Sequence, residues 1–336
     1  IMYRSKIIGL GKFLPDNIVT NQDLAKKIDT SNEWIIERTG IEQRRHIKKG
    51  DGNTTSSMGA EAAKIALANA NMSAGEVDLI LFATLSPDYY MPGSGVFVQK
   101  ILNIPTCPAM DIRNACSGFV YGMATADQFI KTGMYKNILV IGSETQSGAI
   151  DMTTRGRDIA VIFGDGAGAA VVSRCDSEDS GILSSHLHSE GENVDDLVMI
   201  APNTNKWVTE IVSENDPEDL SYYPYMNGKA VFKNAVSRFE EVINAGLNYN
   251  NLKTEDIGLL IPHQANLRIS QFIQRKLKLR DDQVFNNIMR YGNTTAASIP
   301  IALTEAVEEG RIIKGDYIIE IYIDGLLLGE KILYLK

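Results

Sequence analysis

One order of parts occurs twice in this 336-residue chain, and that recurrence limits what it can fold into more than any single motif. Leu79-Ile80-Leu81-Phe82-Ala83-Thr84 is a nearly continuous apolar run, typical of a buried parallel strand, and it ends in a loop. Gly258-Leu259-Leu260-Ile261 does the same and ends at Pro262-His263. Asp111-Ile112-Arg113-Asn114-Ala115-Cys116-Ser117-Gly118 reads as a short strand running straight into a helix, and Tyr291-Gly292-Asn293-Thr294-Thr295 leads into a second helix in the same way. Ile162 to Val172 and Tyr322 to Leu333 each read as a strand, an Asp-Gly turn and a returning strand. Helix alternating with buried strand is the pattern of α/β layers. The two halves divide near Arg174, into 1–174 with the cysteine and 175–336 with the histidine and asparagine. Packed face to face, they bring Cys116, His263 and Asn293 together from equivalent loops.

Phe119 to Thr132 is rich in Ala, Met, Phe and Ile, so a helix beginning near Ser117 is expected, with Cys116 at its N-terminus. The first turn of a helix leaves amides unpaired and carries a partial positive charge, which favours a thiolate there. Taken singly, Cys116 also reads as a packed core cysteine, Asn293 as a helix cap and His263 as a buried histidine. Their matching positions at the ends of a duplicated fold favour a shared site.

Composition removes several classes of function. Cys107, Cys116 and Cys175 form an odd set without metal-like spacing, which argues against a disulfide framework and for a reducing compartment. No apolar run reaches spanning length and no signal-peptide layout opens the chain, so a cytoplasmic protein is expected. A net charge of −9 argues against nucleic acid as a partner. The glycine-rich Phe163-Gly164-Asp165-Gly166-Ala167-Gly168 lacks a Gly-Lys-Ser/Thr and a following helix, so it reads as close backbone packing, not a phosphate loop. Arg44-Arg45-His46 reads as a solvated charged face. Tyr89, Tyr90 and Met91, at the tip of a loop, need cover from a second subunit or a substrate.

Five ordered motifs resemble the thiolase-like condensing enzymes, and among them the ketoacyl-acyl carrier protein synthase III family. They are Thr30-Ser31-Asn32-Glu33-Trp34-Ile35 with Arg38-Thr39-Gly40-Ile41, Asn114-Ala115-Cys116-Ser117-Gly118-Phe119, Phe163 to Gly168, Pro262-His263-Gln264-Ala265-Asn266-Leu267-Arg268, and Tyr291-Gly292-Asn293-Thr294. The resemblance spans nearly the whole chain. It implies a thiolase-like α/β fold, two duplicated βαβαβαββ halves packed as a five-layered α-β-α-β-α sandwich. It also implies that Cys116 takes an acyl group from acyl-coenzyme A, while His263 and Asn293 hydrogen-bond the carbonyl of a malonyl-acyl carrier protein thioester. Decarboxylation then gives an enolate that attacks the acyl-cysteine, producing a 3-oxoacyl-acyl carrier protein and starting a fatty-acid chain. No metal or cofactor is implied beyond the coenzyme A thioester used as substrate.

Further residues follow from the same resemblance. Trp34, Arg38, Arg155 and Gly228 match the coenzyme A entrance, and Phe232 matches the tunnel lining. Lys229 stands where relatives often carry Asn. Arg268, Arg275 and Lys276, on the outer face of one helix, match the docking site of the acidic carrier protein. Met91 aligns with the residue that, in the family's homodimer, closes the partner subunit's acyl pocket. One segment departs from the pattern: where relatives carry three glycines after the last long strand, this chain has Tyr322-Ile323-Asp324-Gly325. The Asp324 amide would join the Cys116 amide as the acyl oxyanion hole, with side chains where the backbone should approach closely. Two other readings accompany the departure: a thiolase-fold acyltransferase of a specialised pathway that does not decarboxylate, and a catalytically weakened acyl-binding relative. A papain-like hydrolase also uses Cys, His and Asn, but its flanking motif is missing around Cys116.

Overall fold

The computed structural model describes residues 3–176, 180–203, 219–323 and 327–334. Strands β1 (Arg4–Phe13), β2 (Leu79–Ala83), β3 (Ala109–Ile112), β4 (Asn137–Glu144) and β5 (Gly166–Cys175) form one sheet in the order β1-β5-β4-β2-β3. The three inner-to-edge strands β4, β2 and β3 run parallel, while β5 is antiparallel to both of its neighbours. Strands β6 (Gly181–Ser189), β7 (Ile257–Pro262), β8 (Tyr317–Ile323) and β9 (Leu327–Tyr334) form a second sheet in the order β7-β8-β9-β6, with β7 and β8 parallel. The helices that position the site are α1 (Asn32–Thr39), α2 (Thr55–Asn69), α3 (Ser94–Ile101), α4 (Gly118–Lys131), α5 (Gly228–Tyr249), α6 (Leu267–Leu277) and α7 (Ser298–Glu308).

The apolar runs explain the layering, because successive residues of a strand face opposite sides of its sheet. Leu79 and Leu81 of β2 join Ile138 and Val140 of β4 in a core with Phe119 and Met123 of α4, Ile299 and Leu303 of α7, and Leu259, Ile261 and Ile318 of the second sheet. Ile80, Phe82, Leu139 and Ile141, on the other side, pack against α2 and α3 through Met58, Ala62, Ala66 and Val98. Leu260, Ile319 and Ile321 likewise turn outward to Phe239 and Ile243 of α5 and Ile273 of α6. Helices α4 and α7 therefore lie between the sheets, and α2/α3 and α5/α6 cover the outsides, giving the α-β-α-β-α sandwich.

The halves are alike but not identical. Where the first sheet has β3 beside β2, the second has a single parallel bridge of Val284 to Leu260. Ile162-Phe163, expected as a strand, is irregular apart from one bridge to Asn293, and β5 begins only at Gly166. Ile159, Phe163 and Ile288 form a separate core with Ile35 and Ile41, so the apolar pair is drawn out of the ladder by tertiary packing. The Arg44–His46 cluster is not a solvated face: Arg44 is fully buried, donating to Asn21 Oδ1 (2.7 Å) and the Val161 carbonyl (2.6 Å), and His46 Nε2 lies 3.2 Å from the Phe163 carbonyl. Among the described residues, no helix is long and apolar enough to cross a membrane.

Candidate active site

Both central helices are entered through a short 3-10 turn, Ala115–Ser117 before α4 and Thr295–Ala297 before α7. The first residue of each turn has a positive φ without being glycine, +46° at Ala115 and +52° at Thr295. Such a backbone costs on the order of 1–3 kcal/mol and persists only where surrounding contacts impose it. The two turns pack against one another, which puts Cys116, 5% exposed, beside the second. Cys116 is the middle residue of the turn that leads into α4.

Asn293 lies two residues before the second turn and is held at both ends. Its backbone N–H donates to the Ile162 carbonyl (2.9 Å), and its carbonyl accepts from Gly164 (3.0 Å). At Gly164 a Cβ would stand 2.3 Å from the Tyr291 carbonyl oxygen, so the glycine-rich stretch serves as a close-packed seat for Asn293, as its composition suggested. The side-chain Oδ1 accepts from the Thr295 N–H at 2.8 Å. That bond assigns the amide orientation, and Nδ2 is left as the donor end.

His263 follows β7, anchored by donation from its backbone N–H to the Ile321 carbonyl at 2.7 Å. Nδ1 lies 2.5 Å from Ser298 Oγ, the first residue of α7, and the same oxygen accepts from the Gln264 amide at 3.5 Å. With the serine proton directed at Nδ1, the neutral ring carries its own proton on Nε2. Burial pushes the His263 pKa down to about 3, so the ring is neutral throughout the physiological range. All three side chains therefore converge on one short stretch, 295–298: the Cys116 turn packs on it, Thr295 orients Asn293 and Ser298 orients His263.

Two buried groups here have opposite effects on stability as pH changes. His263 titrates at about 3 when folded against 6.5 in the open chain, so its contribution is complete above 6.5 and is lost as pH falls through about 3. Glu144, fully buried at the end of β4, is raised by burial from 4.5 to about 7, so its contribution is complete below 4.5 and is lost as pH rises through about 7. The two oppose one another between 4.5 and 6.5, and below 4.5 only the His263 contribution still changes. Urea unfolding of His263→Asn against the parent from pH ~6 to ~3.5 should show a shallower acid loss in the variant, the difference growing steadily across the whole range because the Glu144 contribution is common to both. Equal slopes would refute a neutral buried imidazole.

The entrance residues divide into two groups. Trp34 is set by α1, whose Ser31 cap accepts the Trp34 N–H at 3.1 Å. The Arg38 and Arg157 guanidinium groups lie 4.3 and 4.7 Å from the Trp34 ring centroid. Arg155, singled out in the sequence, is paired with Asp151 (Nε–Oδ2 2.6 Å) and lies over Tyr223 instead. Arg157 was not singled out, and only the turn at 154–156, which precedes it, decides which of the two arginines meets the ring. Gly228 is exposed at the start of α5 and Phe232 is 36% exposed one turn further on. Arg268, Arg275 and Lys276 are exposed on α6; Lys276 is engaged by Glu240 of α5. The Asn266 amide donates to the Arg38 carbonyl at 2.9 Å, joining the start of α6 to the entrance helix α1. Met91 is 82% exposed beside Tyr90 and Tyr89. Asp324, the second oxyanion residue expected, lies outside the described residues.

Sequence models of 3-oxoacyl-(acyl-carrier-protein) synthase III match residues 110–191, and the C-terminal model of that family matches residues 247–321. A beta-ketoacyl-(acyl-carrier-protein) synthase III of Rhodospirillum centenum is 45% identical over 320 residues, 94% of each chain. The one from Aquifex aeolicus is 44% identical over 315 residues, again 94% of each. The crystal structure of 3-oxoacyl-(acyl-carrier-protein) synthase III from Aquifex aeolicus matches with a TM-score of 0.89 at 43% identity, covering 98% of this chain and 99% of that one. The Pseudomonas aeruginosa structure gives 0.88 at 32% identity, covering 99% of each.

Proposed function

This chain belongs to the beta-ketoacyl-(acyl-carrier-protein) synthase III family, and from that premise we propose the reaction and the residues that perform it. It is a condensing enzyme of fatty-acid synthesis. An acyl-coenzyme A thioester is attacked by the Cys116 thiolate, giving an acyl-cysteine and free coenzyme A. Malonyl-acyl carrier protein follows, and loss of carbon dioxide leaves its electron pair as an enolate. Nε2–H of His263 and Nδ2–H of Asn293 donate to the enolate oxygen in a site closed to water, where fixed donors count most. The enolate carbon attacks the acyl carbonyl, the tetrahedral intermediate expels the cysteine thiolate, and 3-oxoacyl-acyl carrier protein leaves. We assign the acyl oxyanion to the amides of Cys116 and Asp324. Decarboxylation itself generates the carbanion, so the scheme needs no metal or cofactor. The observation that carries this reading is that Thr295 and Ser298, on one turn, fix both donors beside Cys116. Formation of 3-oxoacyl-acyl carrier protein that depends on both acyl-coenzyme A and malonyl-acyl carrier protein tests it; release of neither carbon dioxide nor coenzyme A would remove it.

Coenzyme A is assigned to the mouth formed by Trp34, Arg38, Arg157 and Gly228, with Phe232 along the tunnel. Cationic guanidinium groups over a tryptophan face suit an adenine ring with its phosphates. Arg157→Ala is expected to raise KM for acyl-coenzyme A by about 3- to 30-fold, with kcat nearly unchanged, because only ground-state binding is lost. Arg155→Ala should have less than a third of that effect, since its guanidinium is already engaged by Asp151. Equal effects of the two would reverse the assignment. Arg268 and Arg275 are the outward cations for an acidic carrier protein, with Lys276 contributing less because of Glu240. The protein is assigned as a cytoplasmic homodimer: β3 is an uncovered sheet edge, and Met110, Tyr89, Tyr90 and Met91 are 45, 60, 74 and 82% exposed beside it. A monomer in sedimentation would remove the dimer, and with it the role of Met91 in a partner's pocket.

A further inference from the structure

Glu144 takes no part in the steps above, yet it is fully buried and surrounded by donors. Its carboxylate accepts from the amides of Leu85 and Ser86 (both 3.1 Å), from the Thr84 hydroxyl (3.1 Å) and the Ser86 hydroxyl (2.6 Å). The Ala296 amide, in the middle of the 295–297 turn, favours its ionised form. Two residues along, Gln146 Nε2 donates to Thr295 Oγ1 at 2.9 Å, while the Gln146 backbone N–H is tied to buried Asp165 at 2.7 Å. Two residues back, Gly142 lies so close that a Cβ would stand 2.3 Å from the Ala296 carbonyl oxygen. Positions 142, 144 and 146, at and just beyond the end of β4, thus hold the same turn.

That turn is the strained one whose Thr295 N–H orients Asn293 and which leads directly to Ser298, the partner of His263. A positive φ at a threonine needs outside contacts to impose it. The hydrogen bond of Gln146 and the close approach of Gly142 supply them from the opposite half of the molecule, while Glu144 ties the strand end that carries both to 84–86; these bonds run to 84–86, 165 and 295, not to the Cys116 turn at 115–117. We propose that Glu144 and Gln146 are positioning residues for the malonyl half of the reaction, holding the 295–297 turn so that Asn293 and His263 keep both donors aimed at one enolate oxygen. The inference rests on the condensation reading given above.

Separating the half-reactions tests it. Full-length parent, Glu144→Gln and Gln146→Ala would be compared for Cys116 acylation by acetyl-coenzyme A, read as intact mass after rapid quenching, and for carbon dioxide release from malonyl-acyl carrier protein, read as kcat and KM. Glu144→Gln keeps the shape but sets an NH2 group against backbone donors; a misplacement of about 1 Å costs up to ~100-fold, so a 10- to 100-fold fall in decarboxylation kcat is expected. Gln146→Ala, which leaves the buried carboxylate intact, should fall about 3- to 10-fold and carries the test even where Glu144→Gln fails to fold. Acylation and KM for malonyl-acyl carrier protein should stay within about threefold in both. A parallel fall of both half-reactions, or no change in either, would overturn the proposal. A parent that neither acylates nor releases carbon dioxide would instead overturn the reaction assigned to the site.

Discussion

Cys116→Ala is expected to accept no acyl group from any coenzyme A thioester and to lose condensation by on the order of 10⁴-fold or more, the scale seen when a catalytic nucleophile is removed. The same variant should still release carbon dioxide from malonyl-acyl carrier protein, because the donors proposed for that step are His263 and Asn293, held by Ser298 and Thr295. Folding should survive. Cys116 belongs to the buried core that also holds Phe119, Leu259 and Phe285, and deleting one group of the size of its thiol from a core costs about 1 kcal/mol. Intact mass after mixing with acetyl-coenzyme A measures the first effect, and carbon dioxide release without acyl-coenzyme A measures the second. An acyl adduct on the variant would move the nucleophile elsewhere, and loss of decarboxylation would mean that Cys116 also supports the malonyl site.

The parts of this molecule that were legible in the sequence are those set by local pattern. Leu79–Ala83 is buried on both faces, and an uninterrupted apolar run is the signature of that environment. Cys116, His263 and Asn293 stood out because each ends a strand or opens a helix at matching places in two halves. Strand β6 did not stand out: Gly181–Ser189 carries Ser or His at 184, 185, 186, 188 and 189 and pairs at an edge of its sheet, so its composition resembles a connecting loop. Nor did the burial of Arg44 and His46, whose hydrogen-bond partners Val161 and Phe163 lie more than a hundred residues away. The choice between Arg155 and Arg157 depends on the path of a single turn. The positive φ at Ala115 and Thr295 left no mark at all, since neither is glycine or asparagine. What orients the candidate groups is therefore long-range, and the pattern that singles them out is local.

Asn293→Asp puts that orientation to the sharpest use. One oxygen of the new carboxylate can keep the 2.8 Å bond from the Thr295 N–H, so the turn and the fold should be retained. The other oxygen then stands where Nδ2 donated, and a negative charge faces the developing enolate. Loss of one such donor costs on the order of 10²–10³ in rate, and an opposing charge in a dry site adds to it, so decarboxylation should fall by at least about 10³-fold. Acylation of Cys116, which uses neither donor, should change by less than about threefold. Acid supplies a second, opposite sign. Once protonated, the carboxyl group of the Asn293→Asp variant is again a hydrogen-bond donor, so the variant should recover activity as pH falls. The parent should show no titration from His263 above pH ~5, because burial holds that ring neutral down to about 3. Rates for the variant that stay flat or fall with decreasing pH would show that Asn293 works by shape and not by donating a hydrogen bond to the enolate oxygen. Equal damage to acylation and decarboxylation would show that the substitution had disturbed more than the donor end of one amide.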